Sequence, residues 1–342
     1  MEIIYNPYSH IDWGNVNRYW GSFHTHSFEE HNDLEDWEEG DSWRVQDNVE
    51  AHDNEGFDFL ISGLRTYPWE DFEVNTDEID VQQIRAGELK GRPHHLVSMF
   101  QGHEGGGATP NGHRHEDIQI IGNNDGLCFF THPGRYYEYI WEYIWFDEAP
   151  SWYEYWSSYI PYFRDYDQLV GMEIFNKGTG YHDININNWD VLLRMLEVPI
   201  WGFSENDARR ESQFELNNCN IFFLEKNTEE ALKNEVKNGG FVFAYNYDNG
   251  FNFPQINKIE VNENSNIVTI DAENYSEIKW YTDHNKEIYT GEEINYKDEQ
   301  VKHYLRAVIY NDSGGEVWTQ PIRFDYSFYK WSSPTKWVKG KF

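Results

Sequence analysis

The chain has 342 residues, long enough to bury a sizeable core, and a formal charge of −33 from 60 acidic against 27 basic side chains. Such a polyanion repels nucleic acid and anionic lipid, so a long nucleic acid or a membrane face is not the expected partner. No apolar run can span a bilayer, the first residues do not form a signal peptide, and Cys128 and Cys219 are the only cysteines, so a cytoplasmic, reducing setting without a disulfide framework is expected. The acidic excess fits a high-salt organism or virus and fits a plain acidic protein equally. Aromatic residues make up 18% of the chain, which argues against intrinsic disorder.

Residues 1–17 read as an N-terminal segment. A first short strand, Trp20–Phe23, then runs into His24-Thr25-His26. In an extended chain alternate side chains share a face, so His24 and His26 project together. Residues 29–41 read as an acidic loop or short helix. Apolar strand candidates follow at Phe57–Ile61, Leu96–Phe100, Ile118–Ile121, Leu127–Phe130, Leu169–Phe175, Ile200–Phe203 and Asn220–Leu224. Helical patterns lie between them at Tyr136–Trp145, Trp152–Phe163 and Trp189–Leu196. A further helix opens at Asn227-Thr228-Glu229-Glu230 and closes at Gly239-Gly240. Alternating strands and helices predict an α/β layout with a parallel or barrel-like sheet over 18–250. After Gly250 the pattern shifts to short alternating runs, such as Ile259/Val261 and Leu305/Ala307/Ile309, which predict a β-sandwich over 251–326. Residues 327–342 form a locally basic, aromatic tail.

Strand ends carry most of the chemistry-bearing residues. His24 and His26 follow the first strand, Glu104 follows Leu96–Phe100, and His113 and His115 precede Ile118–Ile121. His132 ends Leu127–Thr131, and Asp207 lies just past Ile200–Ser204. Imidazoles and carboxylates gathered at the carboxyl ends of several strands are the makings of a barrel metal site. His94 and His95 read as the start of a strand, without a site role. Gly105-Gly106-Gly107 lacks the Lys-Ser/Thr of a phosphate loop.

In these segments the chain resembles the PHP domains of polymerases and histidinol phosphatases. The matching stretches are Trp-Gly-Ser-Phe-His-Thr-His (20–26), Gly-Phe-Asp-Phe-Leu-Ile (56–61), Gly-His-Glu (102–104), Thr-His-Pro-Gly (131–134), Gly-Met-Glu-Ile-Phe-Asn (171–176) and Trp-Gly-Phe-Ser-Glu-Asn-Asp-Ala-Arg (201–209), in that order. The β region, at Tyr-Leu-Arg-Ala-Val-Ile (304–309) and Thr-Gln-Pro-Ile (319–322), also looks like the sandwich appended to stand-alone members. The resemblance implies a distorted (β/α)7 TIM-like barrel followed by a small Ig-like sandwich, with a cluster of metal ions that hydrolyses phosphoesters. It implies His24, His26 and Asp207 on a first metal, Glu104 bridging to a second, and His132 with His113 or His115 completing the second. Glu173 and Asn176 would support the ligands or position the substrate.

Two departures concern the third metal of trinuclear members. Where the family has Thr-Asp-His this chain has Gly63-Leu64-Arg65, and where it has Asp-x-His this chain has Asp207-Ala208-Arg209. Arg65 and Arg209 are therefore expected to replace a third cation as a phosphate clamp, since guanidinium is always charged and forks onto phosphate oxygens. His31 is the candidate acid for the leaving group. The expectation is a hydrolase with two divalent ions, zinc, manganese or iron, acting on a small anionic phosphoester. The alternatives are attack on a non-phosphate ester, amide or carbamate, and a catalytically silent scaffold serving as an assembly or virion-associated module.

Overall fold

The computed structural model describes residues 1–27, 45–60, 79–84, 86–89, 94–100, 114–137, 152–176, 180–208, 218–247 and 250–325. Up to residue 246 the strands are β1 (Glu2–Tyr5), β2 (Asn17–Ser22), β3 (Phe59–Leu60), β4 (Gln82–Gln83), β5 (Ala86–Leu89), β6 (Leu96–Met99), β7 (Leu127–Phe130), β8 (Leu169–Asn176), β9 (Trp201–Glu205), β10 (Asn218–Leu224) and β11 (Phe241–Asn246). The helices among them are α1 (Val45–Asn54), α2 (Arg114–Asn123), α3 (Trp152–Ser157), α4 (Ile160–Asp165), α5 (His182–Met195) and α6 (Glu229–Asn238). Thr228 caps α6 by accepting the Ala231 N–H at 3.2 Å, and Gly239 ends it at φ 77°, a conformation glycine adopts without a Cβ penalty. The later strands are β12 (Gln255–Asn262), β13 (Ile267–Glu273), β14 (Glu277–Thr282), β15 (Lys286–Thr290), β16 (Glu293–Asn295), β17 (Tyr304–Tyr310), β18 (Gly315–Thr319) and β19 (Ile322–Asp325).

Among the described residues strand outweighs helix, about 42% against about 24%, so sheet packing carries the core. One long sheet runs β1-β19-β17-β18-β11-β10-β2-β3-β4, with β14 and β15 attached at β17. A second has the order β5-β6-β7-β8-β9, and a third the order β12-β13-β16. Alternation assigns the faces. In β11, Val242 and Ala244 join the core under β12, β13 and β16, while Phe241 and Phe243 point the other way. The rings of Phe23, Phe59, Phe129, Phe203, Phe222 and Phe241 fill the space between the five-stranded sheet and the β10/β2/β3 part of the long one. Phe129 stacks on Phe203 at 4.3 Å and Phe222 on Phe241 at 4.5 Å. Strand β8 is buried along its whole length, as expected of a strand covered on both faces.

The described residues form a mixed α/β protein with several sheets, in which antiparallel pairs stand beside parallel ones. Strand β6 runs antiparallel to both β5 and β7, and β10 runs antiparallel to β2 and β11. Between β2 and β9 the two sheets meet at the parallel bridge Thr25–Ala208. Strand pairing links the chain on either side of residue 250, where β11 pairs with β18 over Val242–Asn246. Ile118–Ile121, read as a strand, belongs to α2: Ile118 and Ile121 are buried while Ile120 is 44% exposed, a helical period.

The close approach of β8 and β9 requires Gly171, where a Cβ would lie 2.2 Å from the carbonyl oxygen of its strand partner Trp201. Gly171→Ala is expected to cost about 1–3 kcal/mol or more through overpacking; an unchanged urea midpoint would refute that strain. A second expectation concerns Glu316 on β18, 5% exposed, whose carboxyl burial pushes up to about 7 against the pull of Trp318 and Arg306. Between about pH 4.5 and 7 the folded state then binds more protons than the unfolded one, so this residue's contribution to stability declines as pH rises through that window. Replacing it as Glu316→Gln should raise stability at pH 8 by about 2–3 kcal/mol and change it little at pH 4, read from denaturation midpoints at both values.

Candidate metal centre

Five strand ends converge on one point. Chain leaving β2 carries His24 and His26, and β5 carries Glu88 near its carboxyl end. His95 immediately precedes β6, His132 follows β7, and Asp207 follows β9. Backbone hydrogen bonds lock the β2 and β9 extensions together: His26 N–H donates to Ala208 O at 2.8 Å and Asp207 N–H to His24 O at 2.9 Å. Both His132 (φ 28°) and Asp207 (φ 52°) have left-handed backbone, a strain that persists where surrounding structure dictates it and that clusters at functional sites.

The donor atoms are spaced as metal ligands are. His24 Nε2, His26 Nε2 and Asp207 Oδ1 form a triangle with sides of 3.2, 3.4 and 3.0 Å. A tetrahedral ion with ligand bonds of about 2.0–2.1 Å has edges of about 3.3–3.4 Å. A second group shares His24: its Nε2 lies 3.7 Å from Glu88 Oε1, which is 3.2 Å from His132 Nε2. Within each group the donor atoms lie within 4.8 Å of one another, and all the residues are buried. Glu88 Oε1 also meets His95 Nδ1 at 2.7 Å, and Glu88 Oε2 is 3.5 Å from His26 Nε2. Imidazole nitrogens and carboxylate oxygens are the donor set of zinc, manganese and iron sites, so these residues fit a divalent ion.

Glu173 supports the cluster from behind. One of its oxygens meets His24 Nδ1, which turns the other ring nitrogen toward the donors. Its second oxygen accepts the His132 N–H at 2.5 Å and the Asn176 amide at 2.8 Å. Asn176 also reaches Asp207 Oδ2 at 3.4 Å. Glu205 accepts from the Phe23 and His24 N–H groups at 2.7 and 3.1 Å, fixing the start of the His24–His26 segment.

Burial alone would neutralise these groups, yet their proximity decides otherwise. Burial opposes a charge on His24, but Asp207, Glu173 and Glu88 outweigh it and push this ring up to about 10. Burial dominates at His26, whose ring is lowered. Against burial, His95, His132 and His24 hold the Glu88 carboxyl well below its usual range, and Asp207 is likewise held down by its histidine neighbours. The carboxylates thus stay ionised and draw a cation.

Of the residues expected from sequence, the structure brings His24, His26, His132 and Asp207 together, with Glu173 and Asn176 behind them. His115 is elsewhere: it is exposed on α2, stacks on Tyr162 at 4.4 Å and meets Tyr166 Oη at 3.1 Å. A helix start lies there, not the strand start that would have faced it inward. His31, Arg65, Glu104, His113 and Arg209 lie outside the described residues. Glu88 and His95 were not anticipated. Strand direction explains why: β6 is antiparallel to β7, so Leu96 pairs with Phe130 beside His132, and the amino end of β6 faces the cluster. The isolated acid in Ala86-Gly87-Glu88-Leu89, followed by His94-His95, was the available signal.

No protein-family model and no curated protein matches the chain by sequence. In structure it is similar to a two-domain protein from Bacteroides vulgatus containing a predicted PHP-like metal-dependent phosphoesterase. That match has a TM-score of 0.49 and 13% identity, over 95% of this chain and 98% of that one. It is also similar to the lesion-specific endonuclease EndoQ of Pyrococcus furiosus, with a TM-score of 0.40 and 15% identity, over 66% of this chain and 57% of that one.

The role of Glu173 can be measured separately from that of the donors. Glu173→Gln keeps the shape but weakens the grip on His24, and should lower metal affinity by about 10- to 100-fold in chelator competition. Affinity equal to that of the unaltered protein would show that His24 is oriented by packing alone.

Proposed function

We propose that this protein is a PHP-type metal-dependent hydrolase, a phosphoesterase working with two divalent ions. His24, His26 and Asp207 would hold one ion and Glu88, His95 and His132 the other. The observation that carries the reading is the triangle of His24, His26 and Asp207 donor atoms, whose sides of 3.2, 3.4 and 3.0 Å suit one bound ion. The collinear motifs from Trp20 to Arg209 support the PHP assignment. In this reading residues 18–250 form the metal-binding unit and 251–326 the strands that back it.

Bound divalent ions supply Lewis acidity toward the ester and toward the attacking water. The chain's own groups determine what that chemistry can reach. Glu173 holds the His24 ring, and Glu205 with the Thr25–Ala208 bridge keeps the two ligand segments in register. Glu88 and Asp207 offset only part of the charge of two ions, so the centre favours an anionic group. The acidic surface turns away long polyanions, which leaves a small phosphomonoester or phosphodiester as the substrate. Arg65 and Arg209, permanently charged and forked, would clamp the phosphate oxygens, and His31 would protonate the leaving oxygen.

Elemental analysis of protein purified without chelator tests the reading. About two ions per chain are expected, with loss of at least one in His26→Ala and in Glu88→Ala, and hydrolysis of bis(p-nitrophenyl) phosphate lost in both. A chain that takes up neither zinc nor manganese on incubation would sink it. The Arg209→Ala variant should retain its metal while KM for the same diester rises; unchanged kinetics would remove the clamp.

A further inference from the structure

Asn176, at the end of β8, faces two ways. Its side-chain amide donates to Glu173 and Asp207, while its backbone carbonyl oxygen meets His182 Nε2 at 3.2 Å. The His182 ring stands edge-on to Phe175 at 5.1 Å and to Tyr245 at 4.8 Å. Phe175 and Tyr245 stack at 4.8 Å with an interplanar angle of 8°, and Tyr247 stands at 87° to Tyr245, 4.6 Å away. Tyr247 is 62% exposed. An aromatic wall therefore runs from the donor cluster to solvent and ends in two rings at right angles.

A carboxylate lies behind that wall. Glu316 on β18 pairs in register with Tyr245 on β11 and Tyr310 on β17, so the three side chains share one face of the sheet. Glu316 is 5% exposed, and its Oε1 has no hydrogen-bond partner among the described residues. A buried carboxylate oxygen left so is costly, and it calls for an explanation in what else binds there. Trp318 and Arg306 draw the Glu316 carboxyl down and offset that cost in part, without reversing the effect of burial. The Arg306 guanidinium lies over Trp318 at 4.3 Å, Tyr281 at 4.9 Å and Trp189 at 5.4 Å, and it donates to Asn285 Oδ1 at 2.9 Å.

The sign of the surroundings selects the ligand. Ring faces are negative, and besides burial the charges of Glu316 and Asp183 push the Tyr247 phenol up. The chain as a whole carries −33. An anion would be repelled, and an uncharged ring would leave Glu316 with only the partial compensation of Trp318 and Arg306. A compact organic cation satisfies both the ring faces and the carboxylate.

We propose that Tyr245, Tyr247, His182 and Glu316 form a site for an organic ammonium group beside the metal centre. Its role in substrate choice rests on the hydrolase reading, and there it selects a phosphoester whose alcohol carries an ammonium group; as a binding site it stands independently.

Calorimetric titration of the full chain with tetramethylammonium chloride at constant sodium chloride tests the site directly. Saturable binding is expected, weakened at least about threefold in Tyr247→Ala, an exposed position that tolerates truncation, and weakened also in Glu316→Gln. No saturable heat, or binding indifferent to both substitutions, overturns the site. The substrate role is read by comparing p-nitrophenylphosphorylcholine with its uncharged 3,3-dimethylbutyl isostere. A lower KM for the choline ester, abolished in Tyr247→Ala with kcat little changed, is expected. Equal KM values in the unaltered protein overturn the substrate role. Hydrolysis of neither ester, with tetramethylammonium binding intact, counts against the hydrolase reading alone.

Discussion

The carboxylates of Glu88, Glu173 and Asp207 are buried against the rings of His24, His26 and His132, where an uncompensated charge costs several kcal/mol per group. Such an arrangement holds only if cations lie within reach of each oxygen. In the protein alone, His24 meets part of that need by remaining protonated beside its carboxylate neighbours. The histidines do not form salt bridges with one acid each. They share acids, so that Glu88 lies near His24, His26, His95 and His132, and Asp207 near three of these. Shared acids and converging ring nitrogens form a donor set that could hold a metal ion, not a group of separate ion pairs.

Holding that much charge in place requires rigid backbone. The donors stand at the ends of strands whose other residues are packed rings and aliphatic chains, and hydrogen bonds between the β2 and β9 extensions fix their register. The positive φ of His132 and Asp207 is tolerated because it turns the chain at the strand end, where the donor must point inward. Glu173 contributes twice, to a ring nitrogen of His24 and to the backbone of His132. One carboxylate thus sets the orientation of donors in both candidate groups.

Local pattern made part of this legible in the sequence. Alternation in an extended segment places His24 and His26 on one side, and apolar strands ending in His132 and leading to Asp207 announce themselves by composition. What local pattern does not carry is strand direction. A rule that looks for ligands at carboxyl ends fails at β6, which runs against β5 and β7, and so it passes over His95. Glu88 sits in a four-residue strand whose single acid resembles a surface position, although cross-strand pairing with Val97 buries it. Ile118–Ile121 reads as a strand for a related reason: a short apolar run fits either period until its neighbours are in place.

Near residue 250 alternating runs replace strand and helix in the sequence, and the hydrogen bonding continues across that point. The β11–β18 ladder carries the sheet of the first region directly into the strands of the second. Helix α5 is held across the same junction: Arg323 of β19 donates to the carbonyls of Leu193 and Leu196 near its carboxyl end, a favourable place for a positive charge. Tyr304 of β17 donates to Asp190 within the helix at 2.7 Å. The amino end of α5 carries His182, which meets the carbonyl of Asn176 beside the metal donors. The later strands therefore clamp the helix that abuts the site, and β18 supplies Glu316 behind the aromatic wall. A region that looks like an appendage in sequence thus packs against the helix beside the donor cluster.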